Sequence, residues 1–132
     1  MEKILLICLA LMHVFFNAST SIASSQEIEL PECIVMTHCV KENWEVSDVE
    51  ESFKKAVELV SKTPRTRIVE KNETFIHAEA KTKWRRYTDD LLIKSLPKKG
   101  IIQVRSESRL GVGDNGVNQK RIDKLSYRLM TK

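Results

Sequence analysis

From Thr66 to Ser108 apolar and polar residues alternate with a period of two, the pattern of strands buried on one face. Ile76, Ala78 and Ala80 fall on one side of a run from Thr74 to Lys83, and Leu91 and Ile93 on one side of Tyr87 to Leu96. Ile102 and Val104 do the same in Ile101 to Ser108, and a shorter run, Thr66 to Lys71, comes first. Asn72-Glu73, Trp84-Arg85-Arg86 and Pro97-Lys-Lys-Gly100 read as the turns between them. Connections this short demand antiparallel pairing, because parallel neighbours need a crossover of a dozen or more residues. On either side the period becomes helical. Ser47-x-x-Glu50 reads as a capping box ahead of Val49, Phe53, Ala56, Val57 and Val60, and Pro64 stops that helix. Val117 to Met130 carries Ile122, Leu125 and Leu129 on one stripe. The expected fold is α+β, a four-stranded antiparallel sheet flanked by an N-terminal and a C-terminal helix packed on one face. Residues 47–132 form the expected single domain, and 24–46, with Pro31 and no periodicity, an irregular lead-in.

The first 23 residues read as a secretory signal peptide. Lys3 precedes an apolar run from Ile4 to Phe16, and Ser21 and Ala23 supply the small residues of a cleavage site. The run is shorter than the roughly 20 apolar residues of a membrane span, although Glu2 in the charged region leaves an uncleaved anchor as an alternative. The expectation is an exported, periplasmic or secreted protein starting near Ser24. Export argues against nucleic acid as a partner, and no aromatic-rich strand motif of an RNA reader is present.

Charge is unevenly distributed. Ser24 to Val60 holds 3 basic and 9 acidic residues, whereas Ser61 to Lys132 holds 18 basic and 8 acidic. An acidic helix lying against a basic sheet accounts for this, and so does a basic half that meets an anionic partner. After cleavage Cys33 and Cys39 remain, six positions apart. An oxidising compartment favours a disulfide between them; free thiols, or a metal site with His38, are the alternatives. No metal or cofactor is expected.

The face opposite the core carries His77, Glu79, Asp90 and Arg105. With turns centred on Arg85-Arg86 and Lys98-Lys99, Glu79, Leu92 and Arg105 share a row, so Glu79 and Arg105 are placed to pair. Asp89 and Asp90 are not a catalytic pair, because strand neighbours point to opposite faces. Asp89 falls on the core side opposite Ser108, where an isolated carboxylate is costly, so it requires Arg109, Arg121 or loop donors. It is either a buried anchor or a tuned acid or ligand contact. His77 on an open face reads first as a bystander and second as a base. Asn72-Glu73-Thr74 matches a glycosylation acceptor.

Arg105 to Arg121 holds more polar chemistry than a strand-to-helix turn needs. Its Gly111-Val-Gly-Asp-Asn-Gly116 matches GxGxxG, but no second parallel strand with an acidic residue is expected after the last helix, which argues against a dinucleotide fold. Asp114, Asn115 and Asn118 read as helix caps. The N–H groups of the helix start, with Arg109 and Arg121, read alternatively as an anion site.

Leu30-Pro-Glu-Cys-Ile, Thr66-Arg-Ile-Val-Glu70, His77-Ala-Glu79, Asp89-Asp90, Val104-Arg-Ser-x-Ser-Arg109, Gly111-x-x-Asp114-x-Gly116-x-Asn118 and Arg121 together resemble the family catalogued as domain of unknown function 1499. The resemblance spans most of the mature chain and implies a domain type and a shared polar signature, not a mechanism. Glu32, Ala80 and Gly113 depart from the family pattern, and Cys39 is not part of it. The leading expectation is a binding module for a small anionic or polar ligand. Its site is Asp89, Ser108, Arg109, Asp114, Gly116, Asn118 and Arg121, with Gly116 permitting close approach. A hydrolase or lyase using Asp89 or the His77, Glu79 and Arg105 face is one alternative. The other is a structural or interaction protein of the envelope that meets a partner or a membrane through Trp84-Arg-Arg-Tyr87, transiently or through an uncleaved signal.

Overall fold

The computed structural model describes residues 26–111 and 113–131; the segment read as a signal peptide and the expected mature start near Ser24 lie outside the described residues. Five strands and two helices follow one another as β1 (Cys39–Glu45), α1 (Val49–Ser61), β2 (Thr66–Lys71), β3 (Phe75–Lys81), β4 (Thr88–Leu96), β5 (Ile101–Ser108) and α2 (Val117–Met130). The sheet is antiparallel throughout, in the order β1-β5-β4-β3-β2. This corrects the expected four strands, and α1 is preceded by a strand. The missed strand, Cys39–Glu45, lies in the stretch expected to be irregular, and it pairs with β5 from Cys39–Glu107 to Glu45–Ile101. Its sequence, CVKENWE, hides the alternation because only Cys39 and Trp44 are fully buried. A strand at the sheet edge needs just one ladder and little apolar surface.

Both helices cover one face. Phe53, Ala56 and Val60 of α1 and Ile122, Leu125 and Leu129 of α2 pack on Trp44, Ile76, Ala78, Leu91, Ile93, Ile102 and Val104. The cap of α1 sits one residue later than expected. Asp48, not Ser47, is the N-cap, in extended conformation, and its Oδ1 accepts from the Glu51 N–H at 2.8 Å. Asp and Ser cap about equally well, so the pattern alone does not choose between adjacent candidates.

The other face is covered over β1 and β5 by the chain before β1. Leu30 is buried there, its N–H donates to Gln103 Oε1 at 2.5 Å, and its carbonyl accepts from Lys41 Nζ at 2.8 Å. Glu27 accepts from the Lys98 N–H and Glu29 pairs with Lys99, so the chain enters at the β4–β5 turn. It then runs the length of β1 to a disulfide between Cys33 and Cys39 at the opposite end. Among the described residues no helix is long and apolar enough to cross a membrane.

The β4–β5 register matches the expected rows, with Asp89 opposite Ser108 and Leu92 opposite Arg105. The β3–β4 register differs by two residues: Glu79 faces Asp90 and His77 faces Leu92. The hairpin closes further back than expected, through a six-residue loop whose Thr82 N–H donates to the Tyr87 carbonyl at 2.9 Å. Arg105 consequently does not meet Glu79; it pairs with Glu107 at 2.6 Å.

Candidate functional site

Antiparallel order brings the start of β1, the end of β5, the β3–β4 loop and the start of β2 to one end of the sheet. The strand-to-helix junction lies there, and its polar residues divide into two groups on opposite faces. On the helix face Asp89 is completely buried. Its Oδ1 accepts from Ser108 Oγ at 2.5 Å and its Oδ2 from Arg121 Nη2 at 2.7 Å. Arg121 Nη1 also donates to Ser106 Oγ at 2.9 Å and to Asn118 Oδ1 at 2.5 Å. Asn118 is equally buried and uses its whole amide. Its Oδ1 accepts from Ser106 Oγ at 2.6 Å, while its Nδ2 donates to the His38 carbonyl at 3.0 Å and to Asp114 Oδ2 at 2.6 Å. The network thereby ties β4, β5, α2 and the residue before β1 together, and a buried pair of this kind holds its place because each charge and lone pair is matched.

Asp114 closes the start of α2. Its carboxylate accepts from the Gly116 and Asn118 N–H groups, both at 2.9 Å. Burial pushes this carboxyl up, but these backbone N–H bonds and the Asn118 amide outweigh it and hold the acid below its ordinary range. The helix start expected as an anion site is thus already occupied by the protein's own carboxylate. Gly116 is required for its backbone, at φ 75°, rather than for close approach, since a Cβ there would meet nothing within 4 Å.

Arg109 belongs to the other face, correcting its expected place beside Asp89 and Arg121. One residue beyond Ser108 on an extended chain, it points the opposite way. Its Nε and Nη2 grip Asp90 at 2.9 and 2.8 Å, and Nη2 reaches Glu79 at 2.7 Å. Arg67 approaches Glu79 at 3.2 Å, and His77 Nε2 lies 2.6 Å from Asp90 Oδ1. The Arg109 guanidinium, with Arg67, holds the Glu79 carboxyl below its usual value. Arg109 and His77 do the same for Asp90 against the opposing effect of burial. Two carboxylates facing each other across adjacent strands would repel; this arginine between them converts the pair into a clamp.

These shifts set an acid limit on the fold. The folded pKa values of Glu79, Asp90 and Asp114 lie below their unfolded values, so their stabilisation is complete above about pH 4.5 and is lost as pH falls through the folded values. The urea midpoint is expected to hold at pH 5 and to fall steadily toward pH 3. A midpoint that rises over that interval contradicts the clamp.

Beside the buried network opens a cleft of about 700 Å³. Ser108, Asp114 and Arg121 of the expected site line one wall, and Arg65, Lys81, Lys83, Trp84, Arg85 and Tyr87 line the other. Ser108 and Arg121 are engaged by Asp89, and Asp114 by backbone N–H groups, so their wall is fixed and largely neutralised. By contrast, no carboxylate pairs with Arg65, Lys81, Lys83 or Arg85 among the described residues. Arg65 Nε donates to the Lys81 carbonyl at 3.4 Å, Arg85 Nη1 to Tyr87 Oη at 3.3 Å, and Lys83 Nζ sits 5.1 Å from the Trp84 ring centroid. Sequence reasoning did not assign Arg65, Lys81, Lys83 and Arg85 to the ligand site, although the excess of cations in a turn without Gly or Asn was the available signal. Among the described residues no group of three or more His, Cys, Asp or Glu side chains is placed to hold a metal ion.

No curated protein matches this sequence. A family model described as protein of unknown function (DUF1499) matches residues 19–129, which takes in all five strands and nearly all of the last helix. The chain belongs to the DUF1499 family.

Proposed function

We propose that this domain is an exported binding module that takes an anionic ligand in the cleft between the β3–β4 loop and the start of α2. The observation that carries the reading is four cations, Arg65, Lys81, Lys83 and Arg85, around one opening, none of them paired with a carboxylate among the described residues. Their field concentrates anions in a concave, partly apolar site, where charge-assisted hydrogen bonds are stronger than on open surface. Trp84 and Tyr87 add flat apolar area, so an anion attached to an organic body fits better than a bare ion. The buried network acts as the rigid wall behind. A binding role is favoured over turnover because neither histidine nor cysteine lines the cleft and its one acid, Asp114, is fully hydrogen-bonded. Export is part of the proposal, supported by the leader-like first 23 residues and by a disulfide suited to an oxidising compartment.

Trp84 is 86% exposed and Trp44 only 5%, so tryptophan emission reports mainly on the cleft wall when ligand arrives. Titration with inorganic phosphate, citrate and a phenyl phosphate ester is expected to change that emission saturably, most strongly for the ester and less at high salt. Arg65→Ala with Lys83→Ala should weaken binding tenfold or more, at roughly 1.5 kcal/mol or above for charged hydrogen bonds. Equal affinity in that double variant, or no saturable change at low salt with a folded protein, would refute the assignment.

A further inference from the structure

The end of the sheet that holds the cleft is also where large apolar side chains remain in water. Six of the ten exposed ones among the described residues lie there: Ile34, Val35, Met36, Trp84, Tyr87 and Leu110. Ile34 is 92% exposed and Met36 75%, at the tip of the loop closed by the Cys33–Cys39 disulfide. That loop is held beside the others by backbone bonds. The Ser108 N–H donates to the His38 carbonyl at 2.9 Å and the Asp114 N–H to the Thr37 carbonyl at 3.3 Å. Three loops therefore share one end, with Lys83, Arg85 and Arg86 among them and Asp114 as the one, already satisfied, carboxylate of their described residues.

We infer that this end docks on an anionic membrane surface, with Ile34, Met36, Trp84 and Leu110 entering the interface and the cleft cations meeting lipid phosphates. The inference rests on the reading of the cleft as an anion site and names the bilayer as the anion's source. Isolated exposed hydrophobics are ordinary, but their concentration with Trp, Tyr and unpaired cations is not. Trp and Tyr favour the headgroup level, and Lys and Arg gain from the negative surface potential of anionic lipid. An acidic protein partner would satisfy the cations but would not need separate apolar tips projecting in one direction. The described chain begins at the opposite end, with Glu27 and Glu29 against Lys98 and Lys99.

The test is full-length protein with vesicles of brominated phosphatidylcholine, with and without one-third phosphatidylglycerol, read by quenching of Trp84 emission. Quenching is expected with phosphatidylglycerol and roughly fivefold weaker per cation removed in Lys83→Ala and Arg85→Ala. Ile34→Ser with Met36→Ser, at exposed positions that carry none of the core, should weaken it tenfold or more. Trp84→Phe should abolish the signal while vesicle pelleting persists. Saturable phenyl phosphate binding without Trp84 quenching by either vesicle overturns docking and leaves the anion site standing. Quenching that depends on Ile34 and Met36, without binding of any soluble anion, supports docking and removes the soluble-ligand reading. Quenching indifferent to lipid charge and to the tip residues, or a dimer dissolved by Ile34→Ser with Met36→Ser in its place, overturns it.

Discussion

Asp89→Ala should lower the unfolding free energy by about 3–5 kcal/mol, or on the order of 15 °C in Tm for a domain of this size. Asp89 is fully buried and Arg121 is mostly so, its side chain 15% exposed, and among the described residues each is the other's only ionic partner. Removing the carboxylate leaves the guanidinium without a counter-charge and Ser108 Oγ without its acceptor. Asp89→Asn keeps the size but presents an N–H where one of those donors now points, so a smaller loss is expected. Asp89→Leu with Arg121→Met removes both charges and should lie closer to wild type than Asp89→Ala alone, since an unpaired buried charge costs more than a missing pair. Chemical denaturation of the four proteins settles the ranking. Unchanged or raised stability in Asp89→Ala would mean that the pair is held at a cost for ligand contact, and the cleft wall formed by Arg121 would then be part of the binding chemistry.

Asn118→Asp should be more damaging than Asn118→Ala, although it is the smaller chemical change. In the native protein the Asn118 amide nitrogen is 2.6 Å from Asp114 Oδ2 and also serves the His38 carbonyl. A carboxylate would set two acidic oxygens in contact and remove both donors, while Ser106 and Arg121 on its other side compensate only in part. A loss above about 3 kcal/mol is expected for Asn118→Asp, and about 2 kcal/mol for Asn118→Ala, from stranded polar partners. The aspartate variant should also recover as pH is lowered toward 4, when one carboxyl of the new pair takes a proton and again donates a hydrogen bond. An Asn118→Asp protein as stable at pH 7 as the alanine variant would show that the Asp114 contact carries little weight.

The two outcomes bear on one question, whether the polar signature of the last third of the chain is scaffold or site. The geometry assigns most of it to scaffold. Ser108, Asn118 and Asp114 have their hydrogen bonds taken up within the protein, and the cations that remain without carboxylate partners come from the β3–β4 loop and from Arg65. Of the residues expected at a ligand site, Ser108, Asp114 and Arg121 line one wall of the cleft.

Local chemistry was legible wherever one element decides it. The apolar stripes of both helices, the alternation of β3, β4 and β5, and Asp89 opposite Ser108 follow from periods of 3.6 and 2 together with the Pro97–Gly100 turn. Even the separation of Arg109 from Asp89 was implicit in the same alternation, because Arg109 follows Ser108 directly. What the sequence left open depended on pairing between distant segments. The edge strand β1 exists because β5 offers it a ladder, not because CVKENWE alternates. The β3–β4 register turned on a loop with no Gly or Asn to mark its centre, and a shift of two residues moved Glu79 from Leu92 to Asp90. The cleft needed Arg65 and the β3–β4 loop brought against the start of α2 across more than thirty positions of chain, and no local pattern records such a juxtaposition. By itself the sequence determined which residues turn inward on each element, since side-chain direction is set by local backbone geometry. Only the tertiary structure decided which charges meet a partner and which are left facing the cleft, because pairing of charges depends on distances that close when the sheet assembles.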